Sequence, residues 1–178
     1  MPMQAQAGRG WWWNCRWPMP DAAINIHASC VAIGGRGILL LGDSGAGKSE
    51  IALCLIDRGA VLVADDRTLL SVKNGVLRAA APASIRGLIE IRGLGIVALP
   101  TRASAAIALV VRLGRAGKRL PDRQEWRPPA PLRPGTLPPQ IALDGRHAAT
   151  PAKIRAALAA FSQGSLRDSF NPKTGNSK

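Results

Sequence analysis

The octapeptide Gly42-Asp43-Ser44-Gly45-Ala46-Gly47-Lys48-Ser49 narrows the fold more than any other feature of the chain. It fits the pattern G-x-x-x-x-G-K-[ST], which requires a buried strand leading in and a helix leading out. Both are legible. Residues 37–41 (GILLL) are a short continuous apolar run, the pattern of a strand covered on both faces. From Glu50 to Arg58 the chain reads as a helix, with Ile51 and Leu55 on one face, Ala52 and Ile56 beside them, and Gly59 at the favoured stop position. Glycines at 42, 45 and 47 permit backbone angles that turn successive N–H groups toward one anion, and the helix adds its positive N-terminal end. Lys48 is placed to reach the β- and γ-phosphates of a nucleotide, and the Ser49 hydroxyl to hold Mg²⁺. A chance glycine-rich turn would need neither flanking element.

The remainder reads as one α/β domain. A length of 178 residues suits a single domain, and 47% apolar with 20% charged residues excludes wholesale disorder and collagen-like repeats. Residues 24–33 (INIHASCVAI) alternate apolar with small or polar residues and read as one strand, with Gly34-Gly35 as a hairpin signal. Residues 60–64 (AVLVA) read as a buried strand ending at Asp65-Asp66. Residues 69–73 and 76–80 flank Asn74-Gly75, a strong hairpin signal. Residues 88–99 are apolar but cut by Glu90, Arg92, Gly93 and Gly95, and 106–113 read as a further buried strand. Residues 121–139 are rich in proline and read as a surface loop without regular structure. Thr150-Pro151 opens a helix to about Phe161, with Thr as N-cap and Pro at the first helical position. The tryptophans Trp11, Trp12, Trp13 and Trp17 follow no strand or helix period. Residues 1–23 are therefore expected to be a disordered extension and 162–178 a frayed tail, leaving 24–161 as the folded domain.

The 24 basic and 11 acidic residues leave a net charge of +13. The arginines are dispersed, as at 58, 67, 78, 86, 92 and 102, with no five-residue basic run. Solubility and attraction for an acidic or phosphorylated partner follow from this pattern; nucleic-acid binding is not expected. Cys15, Cys30 and Cys54 are odd in number and form no CxxC pair, which argues against a secreted disulfide framework. The start has no basic segment followed by an apolar one, and no apolar stretch is long enough to span a bilayer. A cytoplasmic location without a membrane partner is expected.

Four further residues or pairs could carry chemistry. Asp65-Asp66 ends an apolar strand where an acidic residue would face a metal, and a strand end lets one carboxylate face Mg²⁺ and the other a bound hydroxyl. A solvated turn or a helix cap is the other reading of the pair. His27, among apolar neighbours, is by itself better explained as a satisfied core or edge residue. Glu90 and Arg92, two apart, project on one face; a self-satisfied surface ion pair competes with a close approach to a ligand, which the adjacent glycines favour. His147, before the last helix, reads as structural or solvent-exposed.

Taken together, a His fifteen residues before the phosphate loop, GDSGAGKSE, a strand ending in VADD, and EIRGLGI resemble the catalytic domain of the bacterial HPr kinase/phosphorylase family. The likeness is close over residues 24–97 and looser over 106–161. It implies a P-loop kinase domain with a mixed sheet, similar to the phosphoenolpyruvate carboxykinase core. It implies an enzyme that uses ATP and Mg²⁺ to phosphorylate a serine of HPr, the phosphocarrier of the sugar phosphotransferase system, and that removes the phosphate by phosphorolysis. By resemblance, Lys48 binds phosphates, Ser49 and Glu90 hold the metal, the acidic pair supplies the general base with Asp66 as the choice, His27 is the active-site histidine, and Arg92 is a catalytic residue in the segment the family needs for both directions. Arg119 is the nearest match to an arginine expected after the strand at 106–113. Pro131-Leu132-Arg133-Pro134-Gly135 only partly echoes a late PVRPGRN-like loop, which leaves Arg133 and the phosphorolytic direction open. Lacking the N-terminal domain of the long form, the chain is expected to be of the short proteobacterial form, and the family implies a hexamer. The rival readings are a non-catalytic ATP-binding regulatory module and, from the charge, a nucleic-acid-binding P-loop protein.

Overall fold

The computed structural model describes residues 23–114 and 124–164. The expected extension apart from its last residue, most of the expected tail, and Arg119 lie outside those residues. The elements are β1 (Ile24–His27), β2 (Ser29–Ile33), β3 (Arg36–Leu41), α1 (Lys48–Asp57), β4 (Val61–Ala64), β5 (Arg67–Lys73), β6 (Val76–Ala80), β7 (Leu88–Ile91), β8 (Gly95–Ala98), β9 (Ala105–Gly114), β10 (Gln124–Glu125), β11 (Pro139–Asp144) and α2 (Thr150–Gln163). Nine strands form one curled mixed sheet in the order β1-β5-β6-β9-β3-β2-β4, with β11 beside β9 and β10 beside β11; β7 and β8 make a separate hairpin. β9 runs parallel to β3 and β11, and the other pairings are antiparallel.

β3 explains why the run before the phosphate loop is apolar throughout. Ile38 and Leu40 face a core shared with Ile51 and Leu55 of α1 and Ile154 and Leu158 of α2. Leu39 and Leu41 face the opposite core, closed by Leu70, Leu77 and Ala79 of β5 and β6. Each such large side chain contributes about 1.5–3 kcal/mol by leaving water. The helix stop is as expected: the Gly59 N–H reaches Ile56 O at 2.9 Å and the Ala60 N–H reaches Leu55 O at 3.0 Å, a pairing that satisfies two terminal carbonyls. At the Asn74-Gly75 turn both residues have positive φ, 52° and 75°, the twist that matches antiparallel strands.

Three expectations need correction, and one segment left unassigned takes a definite form. Residues 24–33 are two strands, not one. Ala28 interrupts them, because its N–H donates to Asp66 O (3.2 Å) and its carbonyl accepts from the Thr68 hydroxyl (2.7 Å). β1 then pairs with β5, while β2 pairs with β3 and β4. The proline-rich segment has structure of its own: β10 pairs with β11, Trp126 and Leu132 are buried, and the Gly135 N–H donates to Gly75 O at 2.8 Å. Proline removes donors, so apolar anchors and a few remaining amides hold the segment. Thr150 is not the N-cap of α2: Ala149 is, Thr150 is the first helical residue, and its hydroxyl donates to Asp144 O at 2.6 Å. The helix also runs two residues past Phe161, to Gln163. Finally, residues 88–99 fold as the β7–β8 hairpin, turning through Arg92-Gly93-Leu94.

Candidate functional site

The loop between β3 and α1 needs its glycines. Gly42 has φ 151°, and a Cβ there would meet the Leu113 carbonyl oxygen at 2.6 Å. Gly47 has φ 90° and stands at the N-cap of α1 without a side-chain cap, so the first helical N–H groups are left to the loop's concavity. Lys48 opens the helix and is nearly buried; its ammonium folds back to donate to Gly42 O and Asp43 O, each at 2.9 Å. Burial lowers its pKa from the usual lysine value, against the opposing pull of Asp66, Asp65 and Asp43. The lysine's charge is therefore stored beside the loop, on carbonyl acceptors that phosphate oxygens can replace.

A cleft of about 410 Å³ opens in front of the loop. His27, Lys48, Ser49, Asp66, Glu90 and Arg92 all line it, together with Ser44, Gly45 and Gly47 of the loop. These residues come from β1, α1, the β4–β5 turn and the β7–β8 hairpin, so the fold joins four segments widely separated in sequence. Gly42, Asp43 and Ala46 belong to the same loop but do not line the cleft. Nor does Arg133, whose guanidinium donates to the neighbouring Leu132 O at 3.1 Å. His147 is exposed, and its Nδ1 accepts from the Ala149 N–H at 3.1 Å.

The two adjacent aspartates part company. Asp65 is 4% exposed and points inward. Its carboxylate accepts from the Ser29 hydroxyl (2.6 Å), from the Ser49 hydroxyl (3.0 and 3.1 Å) and from the Glu90 N–H (3.3 Å). Asp66 takes a positive φ of 59°, which Asp tolerates better than most residues, and so swings its side chain outward. Its carboxylate lies 3.2 Å from His27 Nδ1 and 3.8 Å from Arg67 Nε, with 64% of the side chain exposed. Sequence reasoning named both residues and chose Asp66 for the base only through the family resemblance; it did not foresee that Asp65 is buried among donors. It also missed Ser29, whose signal was a hydroxyl within a strand that is otherwise apolar, and Glu50 and Leu53, which line the cleft from α1.

Among the described residues no three His, Cys, Asp or Glu side chains converge as a metal cage. Ser49 and Glu90 nevertheless line one cleft and offer oxygen, which suits a hard cation held by one or two protein groups plus phosphate oxygens.

Comparison with known proteins decides the family. The family profile described as HPr Serine kinase C-terminal domain matches residues 21–119, more than half of the chain. The chain belongs to this family. The HPr kinase/phosphorylase of Thermoanaerobacter sp. (strain X514) is 47% identical over 98 residues, covering 51% of this chain and 32% of that protein. The protein of the same name from Aromatoleum aromaticum is 41% identical over 110 residues, covering 57% of this chain and 34% of that protein. The chain thus spans about a quarter to a third of the length of the curated relatives it matches. In three dimensions, the HPr(Ser) kinase/phosphatase from Coxiella burnetii superposes with a TM-score of 0.65 at 25% identity, covering 79% of this chain and 92% of that one. The expected P-loop kinase fold with a mixed sheet is therefore the fold of this HPr kinase-family domain. No helix among the described residues is long and apolar enough to cross a membrane.

Proposed function

We propose that this HPr kinase-family domain is an ATP- and Mg²⁺-dependent protein serine kinase acting on an HPr-type phosphocarrier, able to run in reverse as a phosphorylase. The observation that carries the reading is the exposed Asp66 carboxylate, with His27 at 3.2 Å, in the same cleft that Lys48 and Ser49 line. A nucleotide sensor has no need of a solvent-facing carboxylate at that place.

In the kinase direction the triphosphate lies against the loop N–H groups and the start of α1. Lys48 exchanges its two carbonyl acceptors for phosphate oxygens. Asp66 accepts the proton of the carrier's serine as the serine oxygen bonds to the γ-phosphorus and the bond from that phosphorus to the bridging oxygen breaks, releasing ADP. His27 holds the Asp66 carboxylate in place at 3.2 Å, and Arg92 brings a cation to the same cleft. Magnesium, when bound, offsets charge on the phosphates, and Ser49 and Glu90 would hold it. In the phosphorolytic direction Asp66 returns the proton to the leaving serine oxygen while inorganic phosphate attacks, releasing pyrophosphate. Arg119 is assigned to the same site by resemblance. The reading also places the chain in the cytoplasm, as a homo-oligomer that family resemblance makes a hexamer, with neither membrane nor nucleic acid as partner.

The test is incubation with HPr-type carriers and ATP–Mg²⁺, read as phosphoserine by intact mass. Lys48→Ala should abolish transfer while the fold remains, because a charge-assisted phosphate contact is lost. Near-wild-type turnover in that variant would sink the phosphate-loop assignment. Nucleotide binding without transfer to any carrier would leave the regulatory-module reading ahead.

A further inference from the structure

We propose that Ser29 is a positioning residue for the metal end of the cleft: its buried hydroxyl orients the Asp65 carboxylate, and through it Ser49 and Glu90. The inference rests on the reading of Ser49 and Glu90 as metal ligands. Ser29 begins β2, whose other residues are Cys30, Val31, Ala32 and Ile33, and it is 0% exposed. Nothing in the packing of that strand calls for a hydroxyl. A buried hydroxyl must nevertheless find a partner, and this one donates to Asp65 Oδ1 at 2.6 Å, the shortest contact the carboxylate makes.

An ionised carboxylate only accepts, so each neighbour must bring a proton. Ser49 has a single hydroxyl proton and directs it to Asp65, which leaves its oxygen lone pairs available to a cation. The Glu90 N–H donates to Asp65 Oδ2, which pins β7 at the residue whose side chain lines the cleft. One carboxylate thus references two candidate ligands that sit on different elements, α1 and the β7–β8 hairpin. The torsion that turns a carboxylate about its own axis has broad wells and does not fix itself. Ser29 supplies the third point, from the sheet. Its own strand is anchored on both sides, by β3 and by β4, so the reference is rigid.

Removing a group bonded directly to a metal ligand typically weakens metal affinity by roughly 10- to 100-fold; Ser29 acts one step further out, through Asp65, so the lower end of that range is expected. The experiment compares Ser29→Ala, Ser29→Thr and Ser29→Val in the full chain. Thr and Val add the same bulk to a closed site and differ only in the hydroxyl, so any strain is common to both. Mn²⁺ affinity is read by electron paramagnetic resonance with a non-hydrolysable ATP analogue bound. Amide exchange at Glu90 is read by NMR without metal or nucleotide. Ser29→Ala should bind Mn²⁺ about tenfold more weakly, with analogue affinity in EDTA unchanged and Glu90 exchange accelerated. Ser29→Thr should keep much of the affinity that Ser29→Val loses. Equal Mn²⁺ affinity in the Thr and Val variants, or wild-type Glu90 exchange in the Ala variant, would overturn the proposal. The Ala result decides alone if the larger side chains prevent folding. If the wild-type chain takes up no Mn²⁺ with the analogue, the ligand reading of Ser49 and Glu90 falls, while Glu90 exchange still reports whether Ser29 positions β7.

Discussion

The inner and outer sides of the β4–β5 turn are one peptide bond apart and belong to different kinds of environment. On the inner side Asp65 is sealed among two hydroxyls and an amide, all donating to it. On the outer side Asp66 faces the cleft with a histidine, an arginine and solvent as neighbours. The separation comes from a single backbone feature, the positive φ of 59° at Asp66, with the Arg67 N–H closing back onto Asp65 O at 2.6 Å. A buried carboxylate that is fully satisfied serves as a fixed strut, whereas an exposed one keeps lone pairs free for a proton. The same residue type therefore does structural work on one side and is available for chemistry on the other.

The largest expected effect tests the outer side. Asp66→Asn keeps size and tolerates the same backbone angle, but an amide cannot take the serine proton. Turnover should fall about 10²–10⁴-fold, with melting temperature and ATP affinity nearly unchanged, since an exposed pair adds little stability. Comparable loss of stability would mean that the outer side is structural after all.

The inner side should answer differently. Asp65→Asn puts an amide NH₂ where donors already point, so a buried group loses its partner at a cost of about 1–3 kcal/mol. Thermal denaturation and nucleotide-supported turnover should both suffer. A variant with wild-type melting temperature and reduced rate alone would erase the distinction between the two aspartates.

Glu90→Gln probes the wall they share. An amide oxygen is a poorer ligand for a hard cation, so more Mg²⁺ should be needed for half-maximal rate, and excess Mg²⁺ should restore most of it. Rescue of Asp66→Asn by Mg²⁺, with no rescue of Glu90→Gln, would show the two roles to be reversed.

The smallest effect concerns a second inner and outer pair, Cys30 and Cys54. Burial pushes the Cys30 thiol from the ordinary 9.0 up to about 12, while Cys54 on α1 is exposed and free. An alkylating reagent at neutral pH should label Cys54 and spare Cys30 until the fold opens. Because the folded-state pKa of Cys30 is raised, its contribution to stability is complete below pH 9.0 and is lost as pH rises toward about 12. Cys30→Ala should flatten that part of the pH profile, measured by chemical denaturation. Rapid labelling of Cys30 in the native protein would contradict its burial.

Sequence by itself determined much of this molecule wherever the signal is local. The phosphate loop, the apolar lead-in at β3, the stop of α1 at Gly59 and the Asn74-Gly75 turn are each dictated by backbone freedom or by burial over a few residues. The family was legible for the same reason, since its motifs are short and keep their spacing. Tertiary structure alone decided what depends on distant partners. The strand expected over residues 24–33 splits because Asp66 and Thr68 claim the backbone of Ala28. The proline-rich segment is anchored because Trp126 and Leu132 find an apolar core supplied by other strands. Asp65 and Asp66 are indistinguishable as letters, and so is the purpose of Ser29. Which carboxylate is buried is set by the donors that β2, α1 and β7 bring to that point, and hydrogen bonds between residues 16 to 36 positions apart leave no periodic trace along the chain.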